Sequence, residues 1–184
     1  MTDLFSQTDP LAREILELLQ QKSQRLVLAE SCTCGLIASL LARVPGMSAV
    51  LAGSFVVYQI DSKVEWLGVP RALIEQCDVV SSEVAAAMAE GALSRTAHAT
   101  IALSITGHLG PGAPANLDGT AWLGIARSES HAAGKDIVSS TKKLALIAQE
   151  TLTPVQVRHD RQATAARLAL LHLRDTLLDS QTRH

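Results

Sequence analysis

The chain alternates two kinds of apolar segment, short unbroken runs and stripes at helical spacing. Asp9 and Pro10 read as an N-cap and a first helical residue, and Leu11, Ile15, Leu18 and Leu19 follow along one helix face. Residues 25–29 form a buried strand, broken abruptly by Glu30-Ser31-Cys32-Thr33-Cys34-Gly35. A helix carrying Leu36, Ile37, Leu40 and Leu41 runs to Pro45-Gly46, and residues 49–57 make a second strand ending at Tyr58. A short helix from about Asp61 closes at Gly68, and Pro70 opens another. Ser81 caps an alanine-rich helix with Val84, Ala85, Met88 and Ala92 inward. Residues 100–105 are a third strand, feeding the one Gly/Pro-rich loop, 106–114. Residues 119–126 and, more weakly, 137–147 complete the strands. Thr153-Pro154 starts a long final helix with Ala163, Ala166, Leu170 and Leu171 as its candidate buried face.

Strands alternating with helices, and unbroken rather than alternating apolar strands, predict an α/β fold: a three-layer α/β/α sandwich with a mixed, mostly parallel sheet. The last two strands have no helix between them, which makes the sheet mixed. No repeat or linker divides the 184 residues, so 1–184 reads as one domain. Hydrophobic residues are 47% of the chain, enough for a sizeable core. Sixteen basic against eighteen acidic side chains, and five aromatics, argue against a nucleic-acid partner. The N-terminus has no basic, apolar leader pattern and no run reaches membrane-spanning length, so the expectation is a soluble cytoplasmic protein with no membrane partner. Cys32 and Cys34 have no second pair to complete a zinc site, and with Cys77 they read as reduced thiols; no metal is expected.

Candidate chemistry gathers where α/β sheets bind ligands, after the carboxyl ends of the strands. Ser31 lies on a strand-to-helix turn, where it reads equally as a helix cap or as a nucleophile, with the amides near Thr33, Cys34 and Gly35 facing a developing oxyanion. Lys63 is a candidate base if the fold desolvates it, although a lone lysine is more often a solvated one. Tyr58 is placed to relay a proton or orient a substrate. The loop around Gly107, Gly110 and Gly112 offers amides to a phosphate, a weak signal by itself. Of the basic residues of the last helix, Arg158, Arg161 and Arg167 are candidates for an anionic ligand, and His159 reads as a surface residue. His108 as a metal ligand is the minor reading.

The ordered blocks Ala29-Glu30-Ser31-Cys32-Thr33-Cys34-Gly35, Phe55-Val56-Val57-Tyr58 with Lys63, Leu67-Gly68-Val69, Val80-Ser81, Thr106-Gly107 with Gly110-Pro111-Gly112, and Gly119-Thr120-Ala121-Trp122 resemble the C-terminal domain family of the competence/damage-inducible protein CinA. That family includes stand-alone nicotinamide-nucleotide amidohydrolases. The resemblance implies an α/β/α fold and deamidation of nicotinamide mononucleotide. It implies Ser31 as nucleophile assisted by Lys63 and Tyr58, without a cofactor. Glu30, Thr33, Cys34, Gly35, Thr106, Gly107, Gly110 and Arg161 are the substrate-binding candidates.

The chain departs from the resembled pattern in several places. Cys34 replaces the first glycine of a pair, and the reading favours crowding of the ligand there over backbone strain. Ile60 replaces an asparagine, His108-Leu109 replace Ile-Ala, and Ala113 replaces a glycine. Gln156 and Asp160 fall where arginines are usual. The leading expectation is a serine amidohydrolase with a small nucleotide substrate. The alternative is a catalytically silent relative that binds a nucleotide or a partner. A homo-oligomer is left open.

Overall fold

The computed structural model describes residues 4–110, 112–114, 116–131, 134–147 and 152–179. The elements follow as α1 (Leu4–Gln21), β1 (Leu26–Glu30), α2 (Leu36–Ala42), a 3-10 turn (Met47–Ala49) and β2 (Leu51–Val56). A single helical turn, α3 (Ile60–Ser62), then widens into a π turn (Lys63–Leu67), followed by α4 (Arg71–Cys77) and α5 (Ser82–Arg95). β3 (Ile101–Gly107), β4 (Thr120–His131), β5 (Gly134–Ala145) and α6 (Pro154–Asp179) complete the chain. The sheet order is β2-β1-β3-β4-β5. β1 pairs in parallel with β2 and β3, while β4 runs antiparallel to both β3 and β5. Four of the five strands therefore share one direction, and the sheet is mixed, with two parallel and two antiparallel pairings.

Apolar runs in the strands are unbroken because both faces of the sheet are covered. Leu26 and Leu28 point into one core, shared with Ile15 and Leu19 of α1, Leu40 of α2 and Leu170 of α6. Val27 and Ala29 point into the other, with Ile74 of α4 and Val84, Met88 and Ala92 of α5. α5 can lie close to the sheet because its inward residues are small. Ser104 Oγ donates to the Ala85 carbonyl at 2.5 Å, and a Cβ on Gly124 would stand 2.4 Å from that same oxygen. Among the described residues no helix is long and apolar enough to cross a membrane.

Several boundaries differ from the sequence expectation. α1 begins at Leu4, so Pro10 lies inside the helix and Asp9 does not cap it. Asp9 instead pairs with Arg43 at 3.0 Å, and that guanidinium lies 4.0 Å above the Phe5 ring. These contacts with the end of α2 hold the extra turns in place despite the hydrogen bond that Pro10 cannot make. β4 and β5 extend beyond their apolar stretches because they pair with each other along their whole length, so no core is needed there to define them. In α6, Ala166 and Leu170 are buried as expected, but Ala163 and Leu171 are only partly covered, and Ala165, Ala169, Leu173 and Leu177 complete the stripe. Thr153 and Gln156 cap this helix reciprocally, Thr153 N–H donating to Gln156 Oε1 at 2.9 Å and Gln156 N–H to Thr153 Oγ1 at 3.4 Å.

The close seat of α5 yields a direct test. In Gly124→Ala the new methyl meets the Ala85 carbonyl of α5 and the Ser104 hydroxyl of β3 that bonds to it, so the layers must part. Urea denaturation is expected to show a loss of about 1–3 kcal/mol; a variant as stable as the parent would mean that the interface gives way freely.

Candidate active site

Ser31 is the first residue after β1. Its N–H donates to Ile105 O at 3.0 Å, and Val57 N–H donates to Glu30 O at 2.8 Å, so the strand ends remain tied together up to the point where the chain turns. The turn is made by Cys34 at φ 52° and Gly35 at φ 89°, consecutive left-handed residues. Glycine adopts that region freely, whereas a cysteine there is strained. Cys34 is exposed and does not line the cleft described below, so its consequence is backbone strain rather than the expected crowding of a ligand.

Beneath the turn, the buried Glu30 carboxylate accepts from Ile37 N–H at 3.0 Å, Ala38 N–H at 2.9 Å, Thr33 Oγ1 at 2.8 Å and Ser54 Oγ at 3.2 Å. Glu30 is thus a strand-borne cap for α2, and Thr33 orients it. The Cys34 N–H donates to Ser31 O at 3.1 Å. Of the amides near Thr33, Cys34 and Gly35 expected to face the site, that of Cys34 is therefore engaged within the turn. From α6, Gln162 Nε2 donates to the carbonyls of Cys32 and Thr33, both at 3.2 Å, and braces the loop from outside.

Lys63 and Leu67, four residues apart, are both directed inward, and Gly68 at φ 75° ends the turn. Lys63 is only 1% exposed. Its Nζ donates to Ser31 Oγ at 2.9 Å, Val57 O at 2.8 Å and Tyr58 O at 3.4 Å. Burial lowers its pKa from 10.5 to about 8, an effect only partly offset by Cys32. Once deprotonated, the amine can keep two N–H groups for the carbonyls and accept from the serine hydroxyl. Cys32, 4% exposed, has its thiol pushed up to about 12 by burial, so it stays protonated beside the serine.

Ser31, Cys32, Lys63, Tyr58, Thr106 and the glycine loop line a cleft of about 310 Å³. Thr106 Oγ1 donates to Val79 O at 2.8 Å, tying β3 to the segment before α5. A Cβ on Gly107 would lie 2.7 Å from that of Ala121 and 3.1 Å from Cys32 Sγ, so only glycine passes there without displacing the wall. Arg158 spans the mouth, donating to Tyr58 Oη at 2.6 Å and to Gly110 O at 2.7 Å.

The structure brings Ser31, Lys63, Tyr58, Thr106, Gly107 and Gly110 to one cleft, while Glu30, Thr33, Cys34, Gly35 and Arg161 stand outside its lining. Arg161 forms a two-point pair with Asp118, both bonds 2.8 Å, which holds Asp118 below the usual carboxylate range. It secures the chain beside Gly110, where an added Cβ would be 2.9 Å from Arg161 Nη1. Gln156 and Asp160 are exposed. The brace of Gln162 and the Arg161–Asp118 pair were missed because each joins segments far apart in sequence. The capping role of Glu30 was missed, though the helix amides it accepts from lie within eight residues, because a cap carried by a strand has no helix-start spacing to mark it. Among the described residues no three or more His, Cys, Asp or Glu side chains gather as a metal site requires.

Comparison with known proteins shows the family and the fold. A family model described as the CinA C-terminal domain matches residues 8–177. A CinA-like protein of Chlorobium phaeovibrioides is 43% identical over 132 residues, which is 71% of this chain and 31% of the relative. A putative competence-damage inducible protein of Limosilactobacillus reuteri is 42% identical over 63% of this chain and 28% of its own length. The chain thus spans about 30% of the length of these relatives. Among solved structures, the competence damage-inducible protein A of Klebsiella pneumoniae superposes with a TM-score of 0.79 at 25% identity, covering 93% of this chain and 97% of that one. The competence/damage inducible protein of Agrobacterium tumefaciens gives 0.74 at 30% identity, covering 91% and 93%. With that family model spanning nearly the whole chain, the chain belongs to the CinA C-terminal domain family.

Proposed function

We propose that this domain hydrolyses a carboxamide by a serine nucleophile, with nicotinamide mononucleotide as substrate and nicotinic acid mononucleotide and ammonia as products. The observation that carries this reading is the 2.9 Å contact between a buried lysine and Ser31 at the base of an open cleft. Neutral Lys63 takes the hydroxyl proton as Ser31 Oγ attacks the carboxamide carbon. The resulting ammonium returns that proton to the nitrogen as the C–N bond breaks and ammonia leaves. Water, activated by the same amine, then cleaves the acyl-serine ester and frees the carboxylic acid. Tyr58, fixed through Arg158, closes the side of the cleft next to the base. The alternative of a binding module without turnover draws on Gln156 and Asp160, which the usual pattern fills with arginines and which here lie exposed.

Ammonia release from nicotinamide mononucleotide by the purified chain separates the two readings. Ser31→Ala is expected to lose about 10³-fold or more in kcat, with stability changed by about 1 kcal/mol for one lost hydrogen bond. Turnover at the parent rate in that variant excludes the serine mechanism, and no release by the parent protein favours the binding module.

The depressed lysine predicts two pH profiles. The rate is expected to rise as pH passes through about 8, where Lys63 loses its proton. Between about 8 and 10.5 the unfolded chain holds a proton on this lysine that the folded chain lacks, so folding stability must also rise with pH across that window. Lys63→Met is expected to abolish both the catalytic limb and the rise in stability. Denaturation curves showing the same rise in that variant would place its cause elsewhere.

Replacing the strained residue isolates its effect. Cys34→Gly is expected to stabilise the domain by about 1 kcal/mol in thermal or urea unfolding, with no change in turnover, because the side chain lies outside the cleft. A gain in turnover from both Cys34→Gly and Cys34→Ala would instead point to crowding of the ligand.

A further inference from the structure

Among the described residues lining the cleft, Lys63, His108 and Arg158 are basic and none is acidic, in a chain of net charge -2. Lys63 is committed to Ser31 and to the carbonyls of Val57 and Tyr58. The buried Nε2 of His108 faces Asp78 Oδ1 at 3.9 Å. Arg158 is placed differently. Its guanidinium spans the mouth, and it donates to a phenol hydroxyl, Tyr58 Oη, and to a backbone carbonyl, Gly110 O, neither of them an anion. Four other arginines are neutralised by carboxylates: Arg43 by Asp9, Arg71 by Asp61, Arg161 by Asp118 and Arg174 by Asp175.

The start of α6 directs this one cation into the cleft. Gln156 caps the helix with Thr153, His159 and Asp160 are exposed, and Arg161 turns to Asp118. A guanidinium carries five N–H donors in a rigid fork, and Arg158 spends two of them on its neutral partners. Those bonds fix the fork without discharging it. Burial pushes the Cys32 thiol up, and the Arg158 charge is one of those that oppose this, so its field reaches the residue beside Ser31. Gly112, two residues beyond the carbonyl that Arg158 holds, has nothing within 4 Å of an added Cβ, which leaves room for a bulky group at this end of the cleft. A fixed planar fork with spare donors suits the paired oxygens of a phosphate.

We infer that Arg158 is a specificity-determining residue that holds a phosphomonoester of the ligand at the mouth of the cleft, so that the site selects a nucleotide amide over the corresponding nucleoside amide. The inference rests on the proposed reading that the cleft of Ser31 and Lys63 is the ligand site, and it adds what the mouth of that site selects.

Ribose 5-phosphate is the first probe, because it carries the phosphomonoester and no amide. Its binding is followed by calorimetry at about pH 7.5, where a phosphomonoester, with a second pKa of about 6, is dianionic. Arg158→Gln is expected to bind it about tenfold more weakly than the parent, and Arg158→Lys to fall between, because an ammonium keeps the charge but not the fork. Arg13→Gln, which removes an exposed charge on α1, should bind as the parent does. The second arm uses Ser31→Ala, which is expected not to consume the substrate. In that background nicotinamide mononucleotide should bind about tenfold more tightly than nicotinamide riboside, and adding Arg158→Gln should remove the difference by weakening the mononucleotide alone. No binding of ribose 5-phosphate by the parent, undiminished affinity in Arg158→Gln, an equal loss in Arg13→Gln, or an equal loss for mononucleotide and riboside would each overturn the inference. Neither arm requires turnover, so these results and the ammonia assay fail or succeed independently.

Discussion

Burying an amine beside a hydroxyl is the constraint on which the rest of this site depends. A lysine out of water strongly disfavours its charge unless acceptors surround it. Here the acceptors are Ser31 Oγ and the carbonyls of Val57 and Tyr58, all supplied where β1 and β2 end side by side. Two of the three are backbone atoms, so they persist whatever side chains occupy those positions. The parallel pairing of β1 with β2 thereby fixes both the serine hydroxyl and the amine against it.

A second buried charge does the complementary work. Glu30 stands one residue before Ser31 and points to the opposite side of the strand's end, under α2. Its carboxylate satisfies first-turn amides of a helix only seven residues long, which has little stability alone. The turn between Glu30 and α2 is therefore clamped at both ends, with Gln162 holding its carbonyls. Such clamping explains how the strand-to-helix turn tolerates Cys34 in a left-handed conformation. The strain is local, and several buried hydrogen bonds oppose its relief.

How far the sequence conveyed this varied with the range of the interactions involved. The strand runs, the stripe of α1, the Ser81 cap and the closure at Gly68 follow from local chemistry and were legible. The start of α1 was not, because it depends on Arg43 reaching back to Asp9 and Phe5. Ser31 and Lys63 were legible as residue types at strand ends, but their contact was not, since no local spacing ties positions 32 residues apart. The part assigned to Glu30 and Arg161 shows the same limit from the other side. Both are charged and adjacent to the cleft, yet their partners turn them toward the scaffold.

The electrostatic layout also separates two demands that conflict if met at one place. An anion resting against Lys63 would favour the ammonium and raise its pKa, weakening it as a base near neutral pH. In this cleft Lys63 comes from the β2 side, whereas His108 and Arg158 come from the β3 loop and from α6. On the proposed reading, a ligand carrying its negative charge at one end and its amide at the other satisfies both regions without joining them. Tyr58, bonded through its hydroxyl to Arg158 and through its carbonyl to Lys63, is the residue that links the two regions. Loss of its ring would remove one of the two bonds that hold Arg158, leaving that to Gly110 O, and would keep the carbonyl that Lys63 donates to, so the two regions are mechanically joined yet chemically distinct.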